Sequence, residues 1–489
     1  MTSSQQSTVS RATPRASTCG RSRLISDPIR TLLDSPPDLP VLGGLSALTT
    51  ALRERGMAVM LAPPGTGKTT LVPPAVASLV AGDGVVVVTQ PRRIAARAAA
   101  RRLADLLGER VGETVGHTVR GDRRVGPGTR IEFVTTGVLL RRLQRDPSCP
   151  GCGGRPRRGA RASADADLTL AFLVDVRATV RDDLLLVAMS ATVEAERTAA
   201  TLGVAAAVEA PVIDVPGALH PVTQHWAPPP PGVLPTDERG VPPRFLDHVA
   251  ATVRQALAAD PGDVLVFVPG VGEVDGVMRR LSGLAGVDVL ALHGRLPARE
   301  QDLALSRGLR RRVVVSTAVA ESSLTVPGVR IVVDAGLSRE PRTDQARGLP
   351  SLVTVRVSRS AAEQRAGRAG REAVGAVYRC WARVDHVHLA AHPAPEIAVA
   401  DLTGFCLELA AWGAVDGTNL ALLDRPPPAA VETARQTLVE LGDRRHRCDH
   451  GSGSGDGAGA GRSAARSGSA RRCRDRGRSA CSRSRGTDG

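Results

Sequence analysis

Aromatic residues are scarce in this chain of 489 residues, at 2% of the total. Three Trp, one Tyr and five Phe do not make an aromatic-rich surface for stacking bases, so Val, Leu and Ala must fill the cores. No apolar run reaches the roughly 18 residues of a membrane helix. Eight cysteines make no disulfide framework in a chain of this size, and residues 1–37 lack the apolar stretch of a secretory signal. These absences favour a cytoplasmic protein that does not enter a membrane.

Positive charge dominates what is present. The formal net charge is +15 and the pI is about 10.9. Such a balance favours a polyanionic partner, because each contact with it releases counterions. Part of the positive charge lies in the Arg-rich end of the chain. The net charge therefore indicates a nucleic-acid partner, but it does not distinguish RNA from DNA.

Short apolar runs alternate with helical patterns along most of the chain, as buried parallel strands and their connecting helices do. The predicted strands are residues 59–61, 85–89, 131–135, 184–189, 264–268, 287–292, 313–316, 330–333 and 375–380. The pattern predicts an α/β fold with two doubly wound parallel-sheet domains, residues 38–213 and 214–397, and a cleft between them. Residues 398–442 are predicted as a partial helical segment. Residues 1–37 and 443–489 are predicted to be a disordered leader and a disordered Arg/Gly/Ser-rich tail.

The strongest local signal is the run APPGTGKTT at residues 62–70, between an apolar strand and a predicted helix. Glycines in this setting let backbone N–H groups surround a polyphosphate at the positive end of a helix. Lys68 is expected to reach the β and γ phosphates, and the Thr69 hydroxyl to hold Mg²⁺. Ala62 replaces the usual first glycine, and a loop that only connects strand and helix is the alternative. The predicted nucleotide-binding residues here are Pro64, Gly65, Thr66, Gly67, Lys68, Thr69 and Thr70.

A second signal, SAAEQRAGRAGR, occupies residues 360–371. Arg368 and Arg371 are three positions apart, which places them on one side of a predicted helix. Two such arginines can stabilise charge on a γ-phosphate, and Gln364 can orient the attacking water. A solvated, Arg-rich helix face is the alternative. The predicted catalytic residues are Lys68, Thr69, Gln364, Arg368 and Arg371.

Together these motifs make the chain similar to superfamily 2 helicases of the DEAH/RHA class, and above all to HrpB-like ATP-dependent helicases. The resemblance runs over residues 38–442. Further motifs of that class match TQPRR at 89–93, TTGVL at 135–139, SAT at 190–192, STAVAESSLT at 316–325 and VDAG at 333–336. The resemblance implies two RecA-like domains, followed by part of a winged helix.

The resemblance also implies roles for individual residues. Ser190 and Thr192 would couple hydrolysis to strand movement, and Asp334 would contact the nucleotide. The residues expected to hold the nucleic-acid backbone are Gln90, Pro91, Arg92, Arg93, Thr136, Gly137, Thr317, Ser323 and Thr325. Hydroxyls and backbone amides hold phosphates without reading bases. We therefore expect ATP and Mg²⁺ as cofactors and single-stranded nucleic acid, with RNA favoured, as the partner; no protein partner is indicated.

One motif of the class is missing. It supplies a carboxylate for Mg²⁺ and an adjacent Glu that activates water, and it should lie between Leu143 and Leu168 at the end of an apolar strand. Residues 145–163 instead read RDPSCPGCGGRPRRGARAS, without an Asp-Glu pair. This composition, which returns after Gly442, suggests two compensating frameshifts, a hypothesis that the nucleotide sequence would test. General base catalysis contributes about 10²–10⁴-fold, so we predict impaired hydrolysis. Loss of the strand would also threaten the first domain.

Other chemistry in this region is not predicted. Cys149 and Cys152 have zinc-knuckle spacing, but a structural zinc site needs about four ligands and no second pair lies nearby. Asp165 and Asp167 fall where the class has acidic residues outside its active site, so they are not predicted as Mg²⁺ ligands. Besides a helicase, two functions stay open: a catalytically silent, nucleotide-regulated nucleic-acid-binding protein, and a phosphate-loop ATPase that does not act on nucleic acid.

Overall fold

The computed structural model describes residues 27–450 apart from 81, 83, 149–152, 156–163, 191–194, 218–219, 322–323, 345–348 and 416. Most of the predicted leader and tail, and the two cysteines with zinc-knuckle spacing, lie outside the described residues. A large compact unit, Met1–Leu438, holds both sheet domains, and Val439–Gly489 form a second unit. Among the described helices, none combines the length and apolarity needed to cross a membrane.

The first domain alternates strands and helices, as its apolar runs predict. Its elements are α1 (Pro28–Asp34), α2 (Leu42–Arg55), β1 (Met57–Leu61), α3 (Lys68–Ala77), β2 (Val86–Gln90), α4 (Arg93–Leu107), β3 (Val115–Val119), β4 (Asp122–Arg124), β5 (Ile131–Thr135), α5 (Thr136–Arg145), β6 (Gly153–Arg155), α6 (Ala164–Thr179), β7 (Leu186–Ser190), α7 (Ala195–Gly203) and β8 (Val212–Asp214). The predicted strands are confirmed at β1, β2, β5 and β7. Their side chains are buried on both faces, since helices cover both sides of the sheet.

The region that lacks the carboxylate pair still supplies a strand. β6 pairs in parallel with β2, with Val86 opposite Gly153 and Val88 opposite Arg155. It ends a five-stranded ladder, β4-β3-β5-β2-β6, beside a three-stranded ladder, β7-β1-β8. The expectation that this strand is lost is therefore wrong for the backbone. Backbone N–H and C=O groups pair whatever the side chain, so a Gly-Gly-Arg segment can take the position without being apolar.

The second domain is built on a six-stranded parallel sheet in the order β11-β12-β10-β13-β16-β9. Its elements are β9 (Val222–Trp226), α8 (Pro243–Ala259), β10 (Asp263–Phe267), α9 (Val271–Leu281), β11 (Val287–Leu292), α10 (Ala298–Leu305), β12 (Arg311–Ser316), β13 (Val329–Asp334), β14 (Leu337–Asp344), β15 (Leu349–Arg356), α11 (Arg359–Ala366), β16 (Gly375–Arg379) and α12 (Arg383–Val387). All five predicted strands are confirmed. Edge strand β9 and the antiparallel hairpin β14–β15 were not predicted, because exposed and half-exposed side chains interrupt their apolar runs.

Three helices follow the second sheet: α13 (Glu396–Val399), α14 (Thr403–Trp412) and α15 (Pro428–His450). The α14 helix lies within the segment predicted to be helical, and α15 begins there and continues to His450, into the range predicted as a disordered tail. The α14 helix packs against the first domain, because Cys406 and Leu409 join its buried core. The Trp412 ring stacks on Phe172 with 4.0 Å between centroids, and its Nε1–H donates to Asp175 at 2.9 Å. The chain therefore returns to the first domain after completing the second.

Candidate nucleotide and nucleic-acid site

The loop between β1 and α3 has the backbone that a phosphate-binding loop requires. Gly65 and Gly67 adopt φ angles of +96° and +91°, in the left-handed region that favours glycine. A Cβ atom on Gly67 would also lie only 2.7 Å from Cδ1 of Leu39. The Thr66 hydroxyl donates to the Pro63 carbonyl at 2.9 Å and fixes the curve of the loop. The loop leads directly into the N-terminus of α3, the end of a helix at which an anion is stabilised.

The Lys68 side chain lies inside this curve. It is buried, and its ammonium donates to the carbonyls of Ala62 and, at 3.1 Å, Pro63. The loop begins beside the end of β7, because the Ala62 N–H donates to the Ser190 carbonyl at 3.2 Å. This contact brings the predicted coupling residue Ser190 next to the phosphate loop. Thr192 lies outside the described residues.

The second domain reaches this loop through Arg371. Its Cγ and Nε atoms each lie 3.7 Å from the position that a Cβ would take on Gly65. The Arg371 guanidinium donates to the Leu324 carbonyl at 3.1 Å and to the Thr325 hydroxyl at 3.0 Å. Arg368 is buried and donates to the carbonyls of Glu321 and Leu324. One loop thus holds both predicted catalytic arginines, and it carries Arg371 over the phosphate loop.

The arginines do not lie on a helix, and that prediction is wrong. The α11 helix is capped by the Ser358 hydroxyl, which accepts from Ala361 N–H at 3.2 Å, and it ends at Ala366. Arg368 and Arg371 lie in the turns that follow. Within these turns, position 370 has room only for glycine, since a Cβ there would lie 2.4 Å from the His220 carbonyl oxygen.

A buried ion-pair network beneath these turns gave no signal in the sequence. Arg365 is 1% exposed and donates to Glu321 at 3.0 Å and to Asp334 at 2.7 Å. Burial acts to lower the pKa of Arg365, but the two carboxylates outweigh it and raise that pKa. Asp334, predicted to contact the nucleotide, also accepts the Gly336 N–H at 2.9 Å. Its carboxylate thus helps fix the segments next to the two predicted catalytic arginines.

A cleft of about 1560 Å³ runs between the two domains and the helices after them. The predicted residues that line it are Pro64, Pro91, Arg92, Arg93, Thr136, Gly137 and Gln364. Arg92 also donates across the domain boundary to the Ala318 carbonyl at 2.5 Å. The structure therefore brings two of the predicted phosphate-gripping motifs and the predicted water-orienting glutamine to one cavity.

The sequence is similar to those of known proteins. Residues 247–373 match the helicase conserved C-terminal domain family. The chain is 40% identical over 410 residues to the ATP-dependent RNA helicase HrpB of Escherichia coli, covering 83% of this chain and 49% of that protein. It is 33% identical over 435 residues to the probable ATP-dependent RNA helicase DHR2 of Saccharomyces cerevisiae, covering 84% of this chain and 56% of that protein.

A solved structure shows the same similarity. A crystal structure of the Escherichia coli DEAH/RHA helicase HrpB matches with a TM-score of 0.75 and 38% identity, over 83% of this chain and 50% of that one. Along 83% of its length the chain is similar to this DEAH/RHA helicase. It spans about half the length of these relatives.

The described residues that line the cleft include none of the remaining predicted backbone-gripping residues of this HrpB-like chain. Gln90 is buried at the end of β2, and Thr317 is half-buried. Thr325 holds Arg371, and Ser323 lies outside the described residues. Their contacts with nucleic acid stay predictions.

Several charged or polar residues of the cleft were not indicated by the sequence. They are Arg97, Arg120, Asp122, Arg141, Arg197, Gln301, Glu340 and Glu363. Arg120 lies at the tip of the β3–β4 hairpin, a site marked in the sequence only by the turn residue Gly121. Burial raises the pKa of Asp165, which also lines the cleft; Glu408 raises that pKa further, and Arg141 opposes both. All six arginines among the described lining residues belong to the first domain, whereas carboxylates are spread over the cleft, so only the arginine-lined part of the wall attracts phosphates.

The phosphate loop implies Mg²⁺, and the described residues suit it only in part. Thr69, in the first turn of α3, is half-exposed and offers its hydroxyl. Nucleotide-bound Mg²⁺ commonly takes one or two protein carboxylates as well. Within the described ranges, no group of three His, Cys, Asp or Glu side chains is arranged to bind a metal ion. These residues therefore do not complete a Mg²⁺ site.

Proposed function

We propose that this chain binds ATP between its two RecA-like domains and couples the nucleotide to movement along single-stranded nucleic acid, preferably RNA. The observation that carries the proposal is the approach of Arg371 to Gly65 across the domain boundary. A nucleotide in the phosphate loop would face Lys68 on one side and Arg371 on the other. The names of the relatives, ATP-dependent RNA helicases, support the same assignment.

In this proposal, different residues bind the nucleotide, orient water and connect the two domains. Backbone N–H groups of the loop and Lys68 bind the polyphosphate, and Arg371 adds positive charge from the second domain. Gln364, on the cleft wall, orients water. Arg92 joins the domains at Ala318 and stands at the start of a helix that lines the cleft, so closure around a nucleotide would shift the residues that grip the strand.

Hydrolysis by this chain is proposed to be impaired. Residues 145–163 contain no Asp-Glu pair, and β6 preserves only the backbone position of the missing motif. Without the carboxylate that accepts a proton from water, the rate should fall by about 10²–10⁴-fold. Binding of nucleotide and of nucleic acid depends on other residues and should persist.

The test measures ATP hydrolysis by the purified full chain with and without poly(U), beside Lys68→Ala and the Escherichia coli HrpB protein. We expect slow hydrolysis that poly(U) stimulates and that Lys68→Ala abolishes. Hydrolysis clearly above the protein-free blank that Lys68→Ala leaves unchanged would argue against the phosphate loop as the site. Stimulation absent at every salt concentration, together with no binding of poly(U), would favour an ATPase that does not act on nucleic acid.

The second candidate is a catalytically silent protein whose affinity for nucleic acid depends on whether a nucleotide is bound. The missing carboxylate pair favours it. It predicts no hydrolysis above Lys68→Ala, but tighter binding of labelled poly(U) when a non-hydrolysable ATP analogue is added. The salt dependence of that binding counts the phosphate contacts, with a slope of about −0.7 per contact for a single strand.

A further inference from the structure

Gln301, on α10 of the second domain, is only 2% exposed although it is polar. Its Nε2 donates to the carbonyls of His293 at 3.1 Å and Leu296 at 2.9 Å. These bonds close the turn after β11, where Gly294 and Leu296 line the cleft. Because the amide nitrogen must face these two acceptors, the amide oxygen points toward the first domain.

Arg97 of the first domain meets that oxygen. Its Nη2 donates to Gln301 Oε1 at 2.5 Å, and its Nη1 lies 3.8 Å from Asp122 Oδ2. Asp122 follows the tip of the β3–β4 hairpin, and its Oδ2 lies 3.1 Å from Nε2 of the buried His117. A chain of polar contacts therefore runs along the cleft wall and crosses the domain boundary between Arg97 and Gln301.

An ion pair crosses the same seam nearby, between Arg101, one turn further along α4, and Asp302, the next residue of α10. Arg101 and Asp302 approach to 2.8 Å, but their side chains are 51% and 35% exposed. Water and salt screen such a pair, so it contributes little. The two contacts join the same helices and differ in burial and in their link to the cleft, which makes Arg101 a matched control.

We propose that Gln301 is a positioning residue that couples the shape of the nucleic-acid cleft to closure of the two domains, a role that rests on the proposed function. One planar amide holds the cleft turn with its nitrogen and the opposite domain with its oxygen. When the domains part, the oxygen loses its charged donor, and only the two bonds from the nitrogen still hold the amide. By thermodynamic linkage, a bound strand that stabilises the ordered turn also stabilises the closed arrangement of the domains, by the same factor.

The first test follows hydrogen exchange of the turn in the full chain. Its amides are specific reporters, since Leu296 N–H donates to the His293 carbonyl and Arg295 N–H to His293 Nδ1, both at 3.3 Å. We expect Arg97→Met to speed exchange of this turn severalfold, although Arg97 is in the other domain, and Arg97→Lys to restore part of the protection. Arg101→Met should leave exchange at the wild-type rate. No change in Arg97→Met, or the same change in Arg101→Met, would overturn the proposal.

The second test measures binding of fluorescein-labelled oligo(U) with and without a non-hydrolysable ATP analogue. The ratio of the two affinities should fall toward one in Gln301→Met and stay at the wild-type value in Arg101→Met. A ratio unchanged in Gln301→Met would overturn the coupling. If the wild-type chain binds no oligo(U), the proposed function fails, and with it the link to nucleic acid. The exchange comparison would still decide whether Arg97 orders the turn.

Discussion

Removing the Arg365 guanidinium should cost more stability than any surface ion pair of the chain. The Arg365→Met variant keeps an apolar stem beside Phe267, whose ring centroid lies 5.1 Å from the guanidinium carbon. It also leaves Glu321 and Asp334 without their shared cation, although both are buried. A buried charge that loses its partner destabilises a fold by about 3–5 kcal/mol.

That free energy translates into a large thermal shift. A domain of this size loses about 2–4 °C in Tm per kcal/mol, so we expect a decrease of about 6–20 °C for the second domain. Differential scanning calorimetry of the full chain measures it. The control is Arg307→Met in the same domain. Its partner Glu372 lies at 3.0 Å and the Arg307 side chain is 74% exposed, so the pair should contribute at most about 1 kcal/mol.

A second variant isolates the cause. Adding Glu321→Gln and Asp334→Asn to Arg365→Met removes the unpaired charges and should recover much of the lost stability, because replacing a whole buried ion pair is often close to neutral. The reasoning is refuted if Arg365→Met shifts Tm no more than Arg307→Met. It is also refuted if the triple variant is as unstable as the single one.

Three further predictions concern other parts of the chain. Arg371→Met should weaken binding of a non-hydrolysable ATP analogue about tenfold by equilibrium titration, since one charge-assisted contact of about 1.4 kcal/mol is lost; an unchanged Kd would contradict its position over the phosphate loop. Burial acts to raise the pKa of Glu132, but hydrogen bonds from Arg142 and Thr118 outweigh it and lower that pKa. The stabilisation is therefore complete above the ordinary value of 4.5 and is lost as pH falls through the lower folded value. Acid unfolding should accordingly steepen below pH 4.5 relative to Glu132→Gln, and equal curves would contradict it. Trp412→Ala should destabilise the first domain by on the order of 3 kcal/mol in calorimetry because it removes the stack on Phe172; a loss below about 1 kcal/mol would mean that α14 is only loosely held.

Much of the fold could be predicted because its central strands are buried on both faces. A run such as Val86–Val88 is apolar at every position, and only a covered parallel strand needs that. β9 and the β14–β15 hairpin could not be predicted in this way. They lie at an edge or outside the main sheet, where pairing with a neighbour rather than burial decides the structure.

In the candidate site, too, some residues could be predicted from the sequence and others could not. Lys68 and its glycines are recognisable because a phosphate loop is local and its backbone angles demand particular residues. The contacts of Gln301 with Arg97 and of Arg365 with Asp334 join residues more than 25 positions apart, so no spacing in the sequence indicates them. The two predicted catalytic arginines were placed on a helix because three-residue spacing suits one, whereas α11 ends at Ala366 and both arginines lie in the turns that follow.

The segment around β6 separates what the fold needs from what catalysis needs. A parallel ladder uses main-chain N–H and C=O groups, so Gly153 and Arg155 can pair with β2 as an apolar strand would. Activation of water needs a carboxylate at one defined point, and no backbone pairing can replace it. A likeness in fold to HrpB, however extensive, therefore reports on binding and domain arrangement. Whether this chain turns over ATP depends on the few residues in which its sequence departs most from the class.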